Sequence, residues 1–400
     1  MSERSDDAAQ IATMPCPACH HDVPAGRFCT RCGAHLSRSP GQRLGRLRVS
    51  EFTAAPGENV LQPSVVSSLF PQLPSRSRVP FRFALGLVLV VLIAFCLLQW
   101  YVPMLALAVF APPTLVTMYL VESRLLSDLP AWVWVLTAVL GLAVGVGWAT
   151  LTDVIVAETY SLGLGSQIPT MRLLRDAVVI PFGALLAMQL PAILIRIVRT
   201  PVRESLHGFT IGLVGATAFT LATDLTRMIP QLGNATVTGD LPIADMLLQA
   251  GVRGITEPLT GLALSGLVGA GLWYARRDGP DRRGVLAVGA IGLVVGAAAY
   301  ACVGLAEAFR LPQYLQFAVH IVFAVAAIIA LRVVLQLTSL REEHAAIYPE
   351  LPILCVWCQH VVPDTKFCPA CGVAGHAASQ TSRTARRESR PQPHIEMVEK

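Results

Sequence analysis

One arrangement of cysteines occurs twice, once near each end of the chain, and it limits what those ends can be. Cys16-Pro-Ala-Cys19 is followed after nine residues by Cys29-Thr-Arg-Cys32; Cys355-Val-Trp-Cys358 is followed after nine by Cys368-Pro-Ala-Cys371. Both copies carry a His-x-Val-Pro run between the cysteine pairs (His21, Val23, Pro24; His360, Val362, Pro363). Both also have Phe before the second pair (Phe28, Phe367) and Gly after it (Gly33, Gly372). A C-x-x-C turn presents two thiolates to one tetrahedral ion, and two such turns close a four-sulfur shell for Zn2+. Segments this short cannot build a hydrophobic core, so the metal supplies the folding energy.

Eight of the ten cysteines belong to these motifs, while Cys96 and Cys302 stand alone in apolar runs. The other reading is a pair of disulfides at each end, which requires an oxidising compartment. The spacing and the duplication favour two structural zinc ions. The eight ligands are then Cys16, Cys19, Cys29, Cys32, Cys355, Cys358, Cys368 and Cys371. His20, His21 and His360 are read as exposed polar residues, because four cysteines already complete each site.

Between the two ribbons the chain is a membrane protein. Apolar residues make up 54% of the whole and charged residues 14%, and the charges gather at the ends and in short loops. A bilayer span takes about 20 apolar residues. On that rule eight spans fall near 83–99, 103–121, 131–151, 177–198, 206–228, 246–274, 284–304 and 313–337. The first two form a tight hairpin through Trp100-Tyr101, an aromatic pair suited to the headgroup level. A polar, ribbon-bearing segment precedes them, so no cleavable signal peptide is expected. The fold class is therefore an all-α polytopic membrane protein with a small zinc ribbon at each terminus. Its parts are a ribbon at 12–36, a disordered Ser/Pro/Arg-rich linker at 37–78, the membrane domain at 79–340, a ribbon at 350–375 and a disordered tail at 376–400.

Arginine distribution sets the orientation. Arg76, Arg78 and Arg82 precede the first span, Arg196, Arg199 and Arg203 follow the fourth, and Arg276, Arg277, Arg282 and Arg283 separate the sixth from the seventh. Alternate loops are poorer, apart from Arg172 and Arg175 in the third. The positive-inside rule then puts both termini in the cytoplasm of a plasma-membrane protein, where reducing conditions keep thiols free for metal. Anionic lipid headgroups account for the net charge of +5, and no nucleic-acid partner is expected.

Ionisable residues inside the hydrocarbon are costly, and each is a functional candidate. Here they are Asp224 in the fifth span, Arg253 and Glu257 in the sixth and His320 in the eighth. All lie toward the extracytoplasmic side and could meet in one polar cluster. Arg253 and Glu257, four apart on one helix, could neutralise each other and fix packing. Alternatively the cluster handles protons, ions or a ligand. Small residues along the sixth and seventh spans (Gly261, Ser265, Gly269, Gly289, Gly292, Gly296) predict close helix contacts.

From the second span onward, residues 80–337 resemble PrsW-type intramembrane metalloproteases, in particular divergent actinobacterial members fused to zinc ribbons. The resemblance is carried by Ala111-Pro-Pro…Tyr119-Leu, by Gly208-Phe209…Gly212…Gly215…Phe219, by Arg253…Pro258 and by His320. It implies a helical scaffold and, in the family, a catalytic metal. The family's Glu-Glu-x-x-Lys motif has no counterpart in 177–198, which contains neither Glu nor Lys. Thr223-Asp224 stands where the family has Glu-Asn, and Gly261 where it has a histidine. A hydrolytic metal needs about three protein ligands and an open water position.

The expectation is a pseudoenzyme: a non-catalytic, PrsW-like membrane scaffold whose cytoplasmic zinc ribbons bind a protein partner or hold each other. Trp357 is the favoured contact residue, while Phe28 and Phe367 are expected to pack over the metal. The alternative is an intramembrane metalloprotease with relocated ligands Asp224, Glu257 and His320. A small transporter using an Arg253–Glu257–His320 relay is the third and weaker reading, because the two halves lack broken-helix symmetry.

Overall fold

In a computed structural model the described residues are 12–17, 19–31, 33–36, 75–122, 125–161, 175–198, 204–233, 242–274, 296–305, 312–341, 352–355, 358–365 and 367–372, with positions 290, 292, 294 and 388. The chain divides into two compact units: a helical bundle over 76–343, and a second unit drawn from the segments on either side of it. Cys32, Val356, Trp357, residues 37–74 of the linker expected at 37–78 and most of the tail lie outside the described residues, and the last four residues of that expected linker, 75–78, are instead the first turn of a helix.

The second unit contains two hairpins built alike. Strands β1 (Thr13–Pro15) and β2 (Asp22–Pro24) pair antiparallel with Met14 opposite Val23. After the bundle, Pro352–Leu354 and Val361–Pro363 pair the same way, with Ile353 opposite Val362. Each hairpin turns on the first C-x-x-C of its motif. In one the His20 amide donates to the Cys16 carbonyl at 2.9 Å, and in the other the Gln359 amide donates to Cys355 at 2.8 Å. His20 and Gln359 both adopt the left-handed backbone region, with φ of 57° and 56°. At these described positions the duplicated sequence folds into duplicated geometry.

Within the bundle the helices are α1 (Ser75–Leu97), α2 (Tyr101–Glu122), α3 (Ala131–Ser161), α4 (Ile180–Ile197), α5 (Ser205–Gly233), α6 (Ile243–Gly251), α7 (Glu257–Trp273), α8 (Gly296–Leu305) and α9 (Gln313–Arg341). Among the described residues six segments are long and apolar enough to cross a membrane: those of α2, α3, α4, α5 and α9, and the α6–α7 run taken together. Of the eight spans expected, the first and seventh fall on shorter apolar helices, Arg82–Leu97 and Gly296–Leu305. The loop of arginines before α8 is outside the described residues. The α1–α2 hairpin turns as expected: Gln99 takes φ 56°, the Trp100 amide reaches back to the Phe95 carbonyl at 2.9 Å, and the two rings stack.

Helix α5 is the axis of the bundle. Its apolar window is 83% buried, against 22% for those of α3 and α9, whose apolar side chains face outward as lipid-facing residues must. Its tightest neighbour is α7. A Cβ at Gly208 would strike the Gly269 carbonyl, one at Gly269 would strike Gly208, and one at Gly212 would strike the Ser265 carbonyl. The backbones touch, as small residues permit in membranes. Ser265 also accepts a hydrogen bond from Gln189 of α4 at 2.8 Å. The small-residue stripe read from the sequence is therefore a helix interface.

Two helices open into one wide π-helical turn each, and both turns precede a proline. Arg175–Val179 leads into α4 just before Pro181, and Val252–Thr256 joins α6 to α7 just before Pro258. A proline has no N–H to return to the previous turn, and its ring collides with the carbonyl four residues back. Widening that turn removes the collision. In the second case the Glu257 amide bonds to the Val252 carbonyl, five residues back. The Thr256 hydroxyl donates to the loosened carbonyls of Gly251 and Val252, at 3.3 and 3.2 Å. The spans expected at 177–198 and 246–274 thus each contain one wide turn.

Candidate metal centres and an intramembrane cavity

The sulfurs of Cys355, Cys358, Cys368 and Cys371 lie within 4.8 Å of one another, as do those of Cys16, Cys19 and Cys29. Individual separations are 3.7 Å for Cys355–Cys371 and 3.8 Å for both Cys358–Cys368 and Cys19–Cys29. A disulfide bond is about 2.05 Å long. The edge of a tetrahedron with Zn–S bonds of about 2.3 Å is about 3.8 Å. The geometry is that of metal ligands, and all the described motif cysteines are free of disulfides. The fourth ligand expected at the first site, Cys32, is outside the described residues.

Among the described residues neither cysteine cluster includes a histidine. His21 and His360 are exposed, and each Nδ1 sits at hydrogen-bond distance from the carbonyl of its knuckle, Cys19 at 2.6 Å and Cys358 at 2.8 Å. They brace the turn that aims the sulfurs. The Cys368 thiol is pushed up to about 12, first by its hydrogen bond with Cys355, with burial adding to it. A raised thiol means that the metal-free ribbon is most stable while that proton is present, and loosens as pH climbs from the ordinary thiol range toward 12. Metal loading runs the opposite way, because each bound sulfur must release a proton. Titrated with a competing chelator, apparent metal affinity should therefore fall at least ~tenfold per pH unit below neutrality. Affinity independent of pH would show that the thiols are not the ligands.

The two ribbons touch each other through matched positions. The Phe28 amide donates to the Pro369 carbonyl at 3.0 Å, and the Phe367 amide donates to the Thr30 carbonyl at 3.1 Å. Phe28 corresponds to Phe367 in the duplicated motif, and Thr30 to Pro369, so the pair is reciprocal, as across a two-fold axis. The Arg27 amide adds a third bond to Pro369 at 2.9 Å. Gly372, at φ +75°, leaves room for the Phe28 ring, which a Cβ there would meet at 2.6 Å. Phe28 and Phe367 are 4% and 1% exposed. Phe28, expected over the metal, lies against Gly372 of the other ribbon and edge-on to His35.

Inside the bundle, Asp224, Arg253, Glu257 and His320 all line one cavity of about 230 Å³. The sequence brought these four together correctly; it missed Arg227 and Tyr300, which line it too. Both prolines behind the wide turns, Pro181 and Pro258, are also in its wall. Wide turns of this kind gather at functional sites, and the two Pro-x positions near span starts were the available signal.

Arg253 and Glu257 do not form the ion pair that their spacing suggested. Among the described residues the side-chain ion pairs are His207–Asp128 at 3.4 Å and Arg227–Asp153 at 3.7 Å. The i, i+4 stacking of a regular helix is broken by the wide turn in which Arg253 lies. Nor do Asp224, Glu257 and His320 converge as a metal-binding set: among the described residues, the groups of three or more ligands within 4.8 Å of one another are the two cysteine clusters. No protein-family model matches the chain, and no curated protein or solved structure matches it either.

Proposed function

We propose that this chain is an eight-span plasma-membrane scaffold whose two cytoplasmic zinc ribbons close on each other to form one protein-binding module. The observation that carries this reading is the reciprocal bonding of Phe28 to Pro369 and of Phe367 to Thr30. A self-complementary contact between duplicated elements uses the ribbons' edges on each other and leaves their outer faces for a partner. Trp357, between two ligands of the second ribbon and without an aromatic counterpart in the first, is the proposed anchor for that partner. The bundle is PrsW-like and non-catalytic in this reading.

The competing reading, an intramembrane metalloprotease using Asp224, Glu257 and His320, draws on their shared cavity. It is disfavoured because the three donors do not come close enough together to hold one ion. Metal analysis of the detergent-purified protein separates the two. Two zinc ions per chain are expected, and none once the eight motif cysteines are serine. A metal that survives in the serine variant and disappears on adding His320→Ala would sink the scaffold reading.

A further inference from the structure

The cavity wall is balanced in charge but not paired. Asp224 and Glu257 line it together with Arg227 and Arg253, and both guanidiniums are near enough to attract both carboxylates. Yet among the described residues neither arginine closes an ion pair with either of them. Arg227 reaches instead to Asp153 at 3.7 Å and to the Thr152 hydroxyl at 3.2 Å. Arg227 and Asp153 are both about half exposed, so that contact is weak and Arg227 still counts in the field of the cavity. Opposite charges taken into a bundle and left apart are costly. A ligand that bridges them removes the cost.

The charges are also sorted along the bundle. Gly208 meets Gly269 and Gly212 meets Ser265, so α5 and α7 run antiparallel. Moving away from that contact along α5, Asp224 comes first and Arg227 three residues later. Along the other helix, traversed from α7 back into the wide turn, Glu257 comes first and Arg253 four residues later. Each helix therefore offers its carboxylate about one turn, or about 5 Å, before its arginine. Three threonines of the wall, Thr220, Thr223 and Thr260, stand on the carboxylate side. Their hydroxyls donate to carbonyls of their own helices at 3.0, 2.8 and 2.7 Å, which leaves their oxygens as acceptors. One end of the cavity accepts hydrogen bonds and favours a cation; the other donates them and favours an anion.

A singly charged ligand would bring a charge without a counterpart into a wall that is already neutral. A ligand carrying both charges brings none. At about 230 Å³ the space takes a molecule of several heavy atoms rather than one or two waters. We propose that this cavity binds a small zwitterion, an ammonium joined by a short carbon chain to a carboxylate or phosphate. Its cation lies toward Asp224 and Glu257 and its anion toward Arg227 and Arg253. Its source is a free amino acid or the headgroup of an ethanolamine phospholipid, and binding is non-covalent.

The test is thermal unfolding of the full-length protein in detergent at neutral pH, with β-alanine as the probe. Propylammonium chloride and sodium propionate, each carrying one of its two charges, are compared at equal ionic strength. Glycine betaine, a zwitterion without N–H, controls for general stabilisation by excluded solutes. β-Alanine should raise Tm by several degrees and saturate in the millimolar range, and the other three should not. Charge variants should change the preferred ligand. Glu257→Gln leaves the wall a positive excess, so propionate should become the stabiliser; Arg253→Gln leaves a negative excess, so propylammonium should. Asp224→Asn and Arg227→Gln replace these two if they do not fold. No rise beyond betaine, an equal rise with either single ion in the wild type, or an unchanged preference in the charge variants would each overturn the proposal. Mass spectrometry of co-purified lipid separates the sources. Loss of an ethanolamine phospholipid on adding β-alanine marks the headgroup, and a Tm rise without lipid loss marks a free amino acid. Zinc content is a separate readout, so failure here leaves the ribbon reading standing.

Discussion

A chain carrying Cys368→Ser is expected to lose one metal ion outright and to hold its other about a hundredfold more weakly. The first loss follows from a four-sulfur site reduced to three, in a segment that has no other source of folding energy. The second follows from the contact between ribbons. When the second ribbon unfolds, the first loses the bonds that Arg27, Phe28 and Thr30 make with it. At ~1 kcal/mol net each, three bonds amount to about 3 kcal/mol, or roughly two decades in affinity. Metal at the first site is to be titrated by chelator competition in the wild type and in this variant. Equal affinities would mean that the ribbons fold independently. Gly372→Val tests the same coupling without touching a ligand. Its Cβ enters the Phe28 ring at a φ of +75° that a β-branched residue resists, so the metal count should stay at two while affinity at the first site falls.

Gly208→Val should damage the bundle more than any exposed substitution. The new side chain meets the backbone carbonyl of Gly269, which cannot rotate away as a side-chain tip can. The α5–α7 pair must separate, and α5 is the most enclosed helix. A loss of at least about 3 kcal/mol is expected, at the upper end for overpacking, read as a lower midpoint in denaturing-detergent titration. Gly271→Ala in α7 is the control. Nothing lies within 4 Å of a Cβ there, so the change should be neutral or slightly stabilising. If both variants unfold at the same midpoint, the helices do not meet through glycine.

Several of these features can be read directly from the residues, and others cannot. The C-x-x-C spacing predicts both clusters because four thiols that close together have few other uses. The small residues at 261–269 predict a helix contact because small side chains let backbones touch; that their partners are Gly208 and Gly212 is seen only in the fold. The cavity's charged members are visible because charge in an apolar run is rare. The failure of Arg253 to pair with Glu257 is not visible in the same way. Spacing speaks for pairing only if the helix is regular, and Pro258 changes the register of the turn before it. Arg227 escapes notice because its position near a span end reads as a loop charge, and Tyr300 because it carries none. The partnership of Phe28 with Pro369 is the hardest case. The duplication suggests that the ribbons are similar, but only the folded edges show which amide meets which carbonyl.

That partnership also has a consequence in time. The ribbon ending near Leu36 is synthesised first, and the residues it bonds to follow more than three hundred positions later. At ribosomal rates of ~5–20 residues per second, the first ribbon waits on the order of tens of seconds for its counterpart. Throughout that interval Phe28 has only His35 of its own ribbon to pack against, and the amides of Arg27 and Phe28 lack the Pro369 carbonyl they bond to in the finished fold. A chain broken off anywhere in the membrane domain never leaves that condition. The closed pair of ribbons is therefore carried only by molecules in which every helix between the two ribbons has been made.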